Sequence, residues 1–257
     1  MDINLLAVNV GNSRVTIGTF VNGELDGVAR VNLDDTAGIG DAVRDAWAKF
    51  TDSSRPEICG ASVNPIAQES VEHVIVQAAG KPVQWVGREI DLPMKVTTEE
   101  PKQTGIDRVL TLAAAFEQIQ NGCVVVDAGT ALTINVCNEK GEFLGGAIAP
   151  GARLMLESLN EHTAKLPKVA LAFPAGPIGR STEQAMLVGV VHGIRGMVQS
   201  IIEQYAEVLG RWPELIATGG DAPLLFGDWE LTHAVSPDLI LYGIALAYTE
   251  HNIKHES

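Results

Sequence analysis

The sequence predicts an α/β protein made of two related units, each opening on three strands and continuing with alternating helices and strands. The first observation behind this is a repeat. Residues 6 to 29 read LAVNVGNSRVTIGTFVNGELDGVA, and residues 124 to 147 read VVVDAGTALTINVCNEKGEFLGGA. A shift of 118 positions, 6 to 124, superposes without a gap Val8 on Val126, Gly11 on Gly129, Gly23 on Gly141, Glu24 on Glu142, Gly27 on Gly145 and Ala29 on Ala147. The second is that apolar spacing after each copy switches between helical and strand periods. The third is size: 257 residues, 46% hydrophobic, suffice for two cores. The expected domains are 1–119 and 120–257.

The elements follow in order. Strand-like runs occupy about 3 to 9, 14 to 21 and 24 to 31, joined by a Gly-polar turn and a Gly-Glu turn. A helix carries Val43, Ala46, Trp47 and Phe50. Residues 58 to 64, ICGASVN, read as a buried strand, Ile66 to Ala79 as a helix and PVQWVG as a strand. Residues 91 to 104 are rich in Pro, Thr and charge and read as an irregular connection. A helix starts near Ile106 and is stopped by Asn121-Gly122. In the second half, three strands end at Ala149-Pro150-Gly151, and a helix carries Leu154, Met155, Leu156 and Leu159. The prolines and glycines of 166 to 180 indicate a loop; Ser181 to Leu209 is helical, LIATGG is a strand entering a glycine turn, and a last helix covers about Pro237 to Asn252.

Composition excludes several functions. A net charge of -14 with no Lys/Arg run argues against nucleic-acid binding. The apolar start LLAVNV is too short for a signal peptide and lacks a basic leader, and no later stretch is expected to reach a membrane span, so a soluble cytoplasmic protein is expected. Cys59, Cys123 and Cys137 are scattered in apolar settings without metal-site or redox spacing, which predicts buried free thiols.

Chemistry concentrates in three places. Gly11-Asn12-Ser13 and Gly129-Thr130-Ala131 would each place bare backbone N–H groups and a hydroxyl at a strand end, a geometry suited to phosphate oxygens. The residue before each turn, Asn9 or Asp127, would face a bound metal; ordinary hairpin turns are the simpler alternative for either copy taken alone. Gly105-Ile106-Asp107-Arg108 puts a carboxylate and a guanidinium at a helix start, where one could accept a hydroxyl proton and the other hold an anion. Alternatively, Asp107 stabilises the helix terminus and Arg108 forms a surface ion pair. Ser181-Thr182-Glu183-Gln184 has capping-box spacing, so Thr182 is open to a capping or a ligand role.

Together NVGNSRVTIG, GIDR, VVDAGTALTINV with GEFLGGAIAPG, IGRSTEQAMLVG and ATGGDAPLL resemble the type III pantothenate kinases of the acetate and sugar kinase, Hsp70 and actin superfamily. The resemblance covers most of residues 5 to 246. It implies two duplicated actin-like (RNase H-like) domains, each a mixed five-stranded sheet with flanking helices, and a cleft between them. It also implies ATP-dependent phosphorylation of pantothenate, the first step towards coenzyme A, by a homodimer using Mg2+ and a monovalent cation, K+ or NH4+. In those terms Asp107 is the general base. Gly105, Ile106, Asp107, Arg108 and Thr182 bind pantothenate. Asn9, Gly11, Asn12, Ser13, Arg14 and Thr130 serve ATP and its phosphates, and Asp127 holds the monovalent cation.

The chain departs from the family pattern at two places. Asn9 stands where the family normally has Asp, which removes a negative charge from the magnesium environment. In TTEEPKQTGIDR, Thr97 and Thr98 stand near where the family commonly places an aromatic residue. A working kinase is the leading expectation. A weak or inactive homologue that binds nucleotide or pantothenate as a regulatory accessory protein, and an enzyme of the superfamily acting on another small molecule, are the alternatives.

Overall fold

The computed structural model describes residues 3–50 and 55–256. It divides into two compact units: residues 1–95, 100–114 and 240–257 form the first, and 96–99 with 115–239 the second.

The first unit contains β1 (Leu5–Val10), β2 (Arg14–Val21), β3 (Glu24–Asn32), α1 (Thr36–Trp47), β4 (Glu57–Ser62), α2 (Pro65–Ala79) and β5 (Gln84–Trp85). The strands form one sheet in the order β3-β2-β1-β4-β5. β1 runs antiparallel to β2 and parallel to β4, so the sheet is mixed. β1 is apolar almost throughout because both faces of the sheet are covered. Leu6, Val8 and Val10 join a cluster with Ile39 and Val43 of α1 and Val71 and Ile75 of α2, while Leu5 and Ala7 face the opposite way. Asp35 and Asn64 cap α1 and α2, their side chains accepting from Gly38 N and Ala67 N.

The opposite face corrects the sequence-based boundary at 119/120. It is covered by α3 (Ile106–Ile119), which starts in the first unit, and by the last helix, α7 (Leu239–Glu256). Leu241, Ile244, Ala247 and Tyr248 of α7 pack with Leu5, Ala7, Phe20, Cys59 and Leu110, so the helix expected in the second domain completes the first. Leu241 is fully buried, and Leu241→Ala is expected to cost about 2–5 kcal/mol by denaturant unfolding. A loss below 1 kcal/mol would contradict this packing.

The second unit contains β7 (Cys123–Ala128), β8 (Ala131–Cys137), β9 (Glu142–Pro150), α4 (Ala152–Glu161), α5 (Thr182–Leu209), β10 (Glu214–Thr218), α6 (Ala222–Phe226) and β11 (Ala234–Val235). Its sheet has six strands in the order β11-β10-β7-β8-β9-β6, where β6 is Lys95–Val96. Five repeat the first sheet's topology. The sixth corrects the expected five, and it lies in the segment expected to be irregular. Thr97 fastens that segment: its backbone N and Oγ1 donate to Phe143 O at 3.0 and 2.8 Å.

The duplication extends to a bulge at matching places, between Thr19/Phe20 and between Val136/Cys137. It is not gap-free, however. Val10 pairs with Val15, but Ala128 pairs with Leu132, so four residues (11–14) turn the first hairpin and three (129–131) the second. The next turn compensates, with Phe20 opposite Leu25 but Cys137 opposite Phe143. Deletion and insertion cancel, which is why the sequences align without a gap.

α5 corrects the expectation about membrane spans, because it is long and apolar enough to cross one by composition. Here Met186, Val190, Val191, Ile194, Val198 and Ile202 instead enter the core with β7, β8 and β10. All three cysteines are free and buried, and the fold brings two of them together, with Cys123 and Cys137 Sγ 3.5 Å apart. Burial pushes the Cys59 thiol far above its ordinary pKa. Iodoacetamide is therefore expected to leave Cys59 unmodified until denaturant is added, as peptide mass spectrometry would show; rapid native labelling would contradict this.

Candidate active site

In the first unit, β1 and β2 deliver the first glycine turn. Asn9 is half-buried near the end of β1, opposite Thr16 of β2 and beside Ala61 of parallel β4. Gly11 N donates to Arg14 O at 3.0 Å and closes the turn. Asn12, Ser13 and Arg14 are exposed at its tip, and Ser13 O accepts from Leu33 N at 3.0 Å, which fixes the turn to the end of β3. The backbone is thus anchored while the polar side chains remain available to a ligand.

The same unit holds the GIDR segment at the start of α3. Pro101–Gln103 forms a single 3-10 turn, after which Gly105 O accepts from Arg108 N at 3.1 Å to begin the helix. Ile106 packs against the core cluster beneath β1 and anchors the helix start. Asp107 lies in the first helical turn, where its Oδ1 accepts from Arg108 N at 2.8 Å. The stabilising role at the terminus is therefore present. Even so, burial holds the Asp107 carboxyl above the ordinary carboxylate range, because desolvation outweighs the Arg108 amide and guanidinium. A partly buried carboxylate with raised basicity is suited to taking a proton.

In the second unit, Asp127, Gly129 and Thr130 occupy the equivalent hairpin. Asp127 is half-buried opposite Thr133 of β8 and beside Thr218 of parallel β10. Gly129 N donates to Ala131 O at 3.2 Å, and Thr130 O accepts from Gly151 N at 3.0 Å. The latter bond matches the one from Leu33 to Ser13, so Ser13 and Thr130 occupy equivalent backbone positions and Asn12 is an added residue of the longer turn. Thr182 is exposed at the start of α5. Ser181 is the N-cap, accepting from Gln184 N at 3.2 Å, while Gln184 Oε1 accepts from Arg180 N at 3.0 Å. Capping thus falls to Ser181 and leaves the Thr182 hydroxyl for another use.

Three further residues connect to the Asp127-Ala128 strand end, directly or through one another. Gly219 follows β10 with φ of +93°, and a Cβ there would stand 2.3 Å from Asp127 Oδ1 and 2.7 Å from the Ala128 carbonyl. Only glycine lets this turn lie against the carboxylate. Asp221 is 7% exposed, and its backbone N donates to Ala128 O at 3.1 Å. Arg153 reaches Asp221 with Nε and Nη2, at 3.0 and 2.8 Å from Oδ1. The ATGGDAPLL segment signalled the glycine and the acid, but nothing in the sequence signalled the arginine.

The site residues therefore fall in two groups. The first unit holds the longer glycine turn and the Asp107-Arg108 helix start; the second holds Asp127, Thr130 and the Gly219 turn packed together, with Thr182 at the head of α5.

A family model described as type III pantothenate kinase matches residues 5–204. The chain belongs to the type III pantothenate kinase family. Among its relatives, a protein of that name from Anaeromyxobacter dehalogenans is 34% identical over 249 residues, covering 95% of this chain and 98% of its own. Another from Dehalococcoides mccartyi is 33% identical over 256 residues, covering 97% of each. Solved structures establish the fold alone. A Baf-family transcriptional activator from Campylobacter jejuni aligns with a TM-score of 0.62 at 23% identity, over 96% of this chain and 99% of that one. MreB5 of Spiroplasma citri bound to ADP aligns with a TM-score of 0.54 at 11% identity, over 99% of both chains. The fold of this family member is accordingly actin-like, two sheet-and-helix units of common topology.

Proposed function

We propose that the protein phosphorylates pantothenate with ATP to give 4'-phosphopantothenate, the entry reaction of coenzyme A synthesis. The observation that carries this reading is the family match, which spans GIDR, the Asp127-Ala128-Gly129-Thr130 hairpin and the start of α5. Asp107 takes the proton of the primary alcohol as it attacks the terminal phosphoryl group. Gly105, Arg108 and Thr182 hold pantothenate, with Ile106 setting the helix start from its place against the core. Asn9, Gly11, Asn12, Ser13 and Arg14 receive the ATP phosphates, and Thr130 contacts the nucleotide. Phosphoryl transfer of this kind depends on positioning and charge neutralisation more than on covalent chemistry.

The donor sets fit the ions this requires. Among the described residues no group of three or more His, Cys, Asp or Glu side chains could hold a metal. That suits Mg2+ bound chiefly by phosphates and water, with Asn9 contacting its hydration shell. Magnesium would neutralise charge on the transferring phosphoryl group. Asp127, crowded by the Gly219 turn, supplies one carboxylate suited to a monovalent cation, K+ or NH4+. Replacing Asn9 with Asp adds a charge beside the divalent ion, so Asn9→Asp is expected to lower the Mg2+ concentration giving half-maximal rate. No shift in a magnesium titration would remove Asn9 from the metal's surroundings.

We further propose a cytoplasmic homodimer. Exposed apolar Ile148, Leu154, Phe173 and Ile178 of the second unit support association with a second copy, which light scattering would test; a monomer at assay concentration would contradict it.

The deciding experiment is a coupled assay of ADP release by the purified protein with ATP, Mg2+ and pantothenate, in potassium and then in sodium. Pantothenate-dependent, potassium-stimulated turnover is expected. Its absence in a sample that binds ATP by calorimetry would overturn the reading.

A further inference from the structure

Arg153 contributes to no contact that the proposed chemistry uses, yet its surroundings are unusual for a surface arginine. Its side chain is 65% exposed, whereas the Asp221 side chain it grips is 9% exposed. Nε stands 3.0 and 3.2 Å from Oδ1 and Oδ2, and Nη2 stands 2.8 Å from Oδ1. Because Asp221 is buried, this is not an isolated surface ion pair of the kind that contributes about 0–1 kcal/mol, but the fork geometry alone does not explain what it joins across 68 residues of sequence.

The contacts of the two partners do. Arg153 is in the first turn of α4, two residues after Gly151, whose N donates to Thr130 O at 3.0 Å. Gly151 lies so close to the turn that a Cβ there would be 2.2 Å from Gly129 O. Asp221 is two residues after Gly219, the glycine pressed on Asp127, and its own N donates to Ala128 O at 3.1 Å. The connections close a ring: Thr130 to Gly151, along α4 to Arg153, across to Asp221, and back to Ala128. Ala128, Gly129 and Thr130 form one side of it, and Asp127, against which Gly219 is pressed, immediately precedes it. Without the guanidinium, Asp221 is a buried carboxylate with no compensating charge from Arg153, and the Gly219 turn loses its tie to α4.

We propose that Arg153 is a positioning residue for the nucleotide, acting through Asp221 to hold the Gly219 turn and the Asp127-Gly129-Thr130 hairpin in one arrangement. The inference rests on the assignment of Thr130 to ATP. The proposed function assigns Arg153 no substrate contact, and the turn it supports is on the nucleotide side, so its effect is expected in the kinetics of ATP.

The test compares Arg153→Ala, Arg153→Lys and Asp221→Asn with the parent chain. Groups that hold a metal ligand in place from behind typically alter affinity by about 10- to 100-fold, and a guanidinium holding a ligand-binding turn acts on the same geometric ground. Arg153→Ala is expected to raise KM for ATP by about tenfold and leave KM for pantothenate unchanged. Arg153→Lys should recover part of the loss, and Asp221→Asn, which keeps the volume of the buried side chain, should repeat the defect in a folded protein. Calorimetry with a non-hydrolysable ATP analogue gives the same comparison without turnover. A parent that phosphorylates no pantothenate would count against the kinase reading alone, since analogue binding still compares the four proteins. Equal changes in both KM values, an unchanged KM for ATP, or analogue binding that is the same in all four proteins would overturn it.

Discussion

Asp107→Asn is expected to lower kcat by about 10²- to 10⁴-fold, the usual range for removing a general base, with the fold intact by circular dichroism. Asn keeps an acceptor oxygen for Arg108 N and removes the negative charge together with the ability to take a proton. Its effect on stability should have the opposite sign. Burial raises the folded-state pKa of Asp107 above the ordinary value of 3.8, so the ionised form is the costly one. The favourable contribution of the protonated acid is fully present below the ordinary range and is lost as pH rises through the folded pKa. Asp107→Asn should therefore be more stable than the parent at neutral pH, and its advantage should shrink on acidification. The acid limb of the parent's pH–rate profile should also lie above pH 3.8. Unchanged turnover would remove Asp107 from the chemistry, and a variant less stable at pH 7 would contradict the direction of the shift.

Gly219→Ala should produce the second largest effect. The added methyl would meet Asp127 Oδ1 at 2.3 Å and the Ala128 carbonyl at 2.7 Å, both next to the hairpin that carries Thr130. A φ of +93° adds about 1–3 kcal/mol of backbone strain for any residue with a Cβ. Denaturant unfolding should register at least that loss, and calorimetry should show weakened binding of a non-hydrolysable ATP analogue. Parent-like stability would mean that the turn moves freely away from Asp127, and parent-like binding would separate Asp127 from the nucleotide site.

What the sequence made legible depended on distance along the chain. The paired hairpins were legible because strand, glycine turn and strand are contiguous, and the turn chemistry of Gly11-Asn12-Ser13 and Gly129-Thr130-Ala131 is local. The difference in their lengths was hidden, since one residue lost in the first turn is regained in the next. β6, α6 and β11 were missed because two to five residues carry no readable period. α7 was legible as a helix but not as a part of the first core. Its apolar residues occur all round, which signals burial without naming the partner. The acid-base helix start was visible in GIDR. The Arg153–Asp221 contact joins residues 68 apart and has no local signature.

The return of α7 to the first unit also sets an order of assembly during synthesis. Once Leu239 has left the ribosome, every segment of the second unit has been made, whereas the first still lacks the helix that covers Leu5, Ala7 and Phe20. The half of the molecule begun first is the half finished last. Until then, the part of that face that α7 covers, fully buried in the finished fold, stays open to solvent and to other nascent chains.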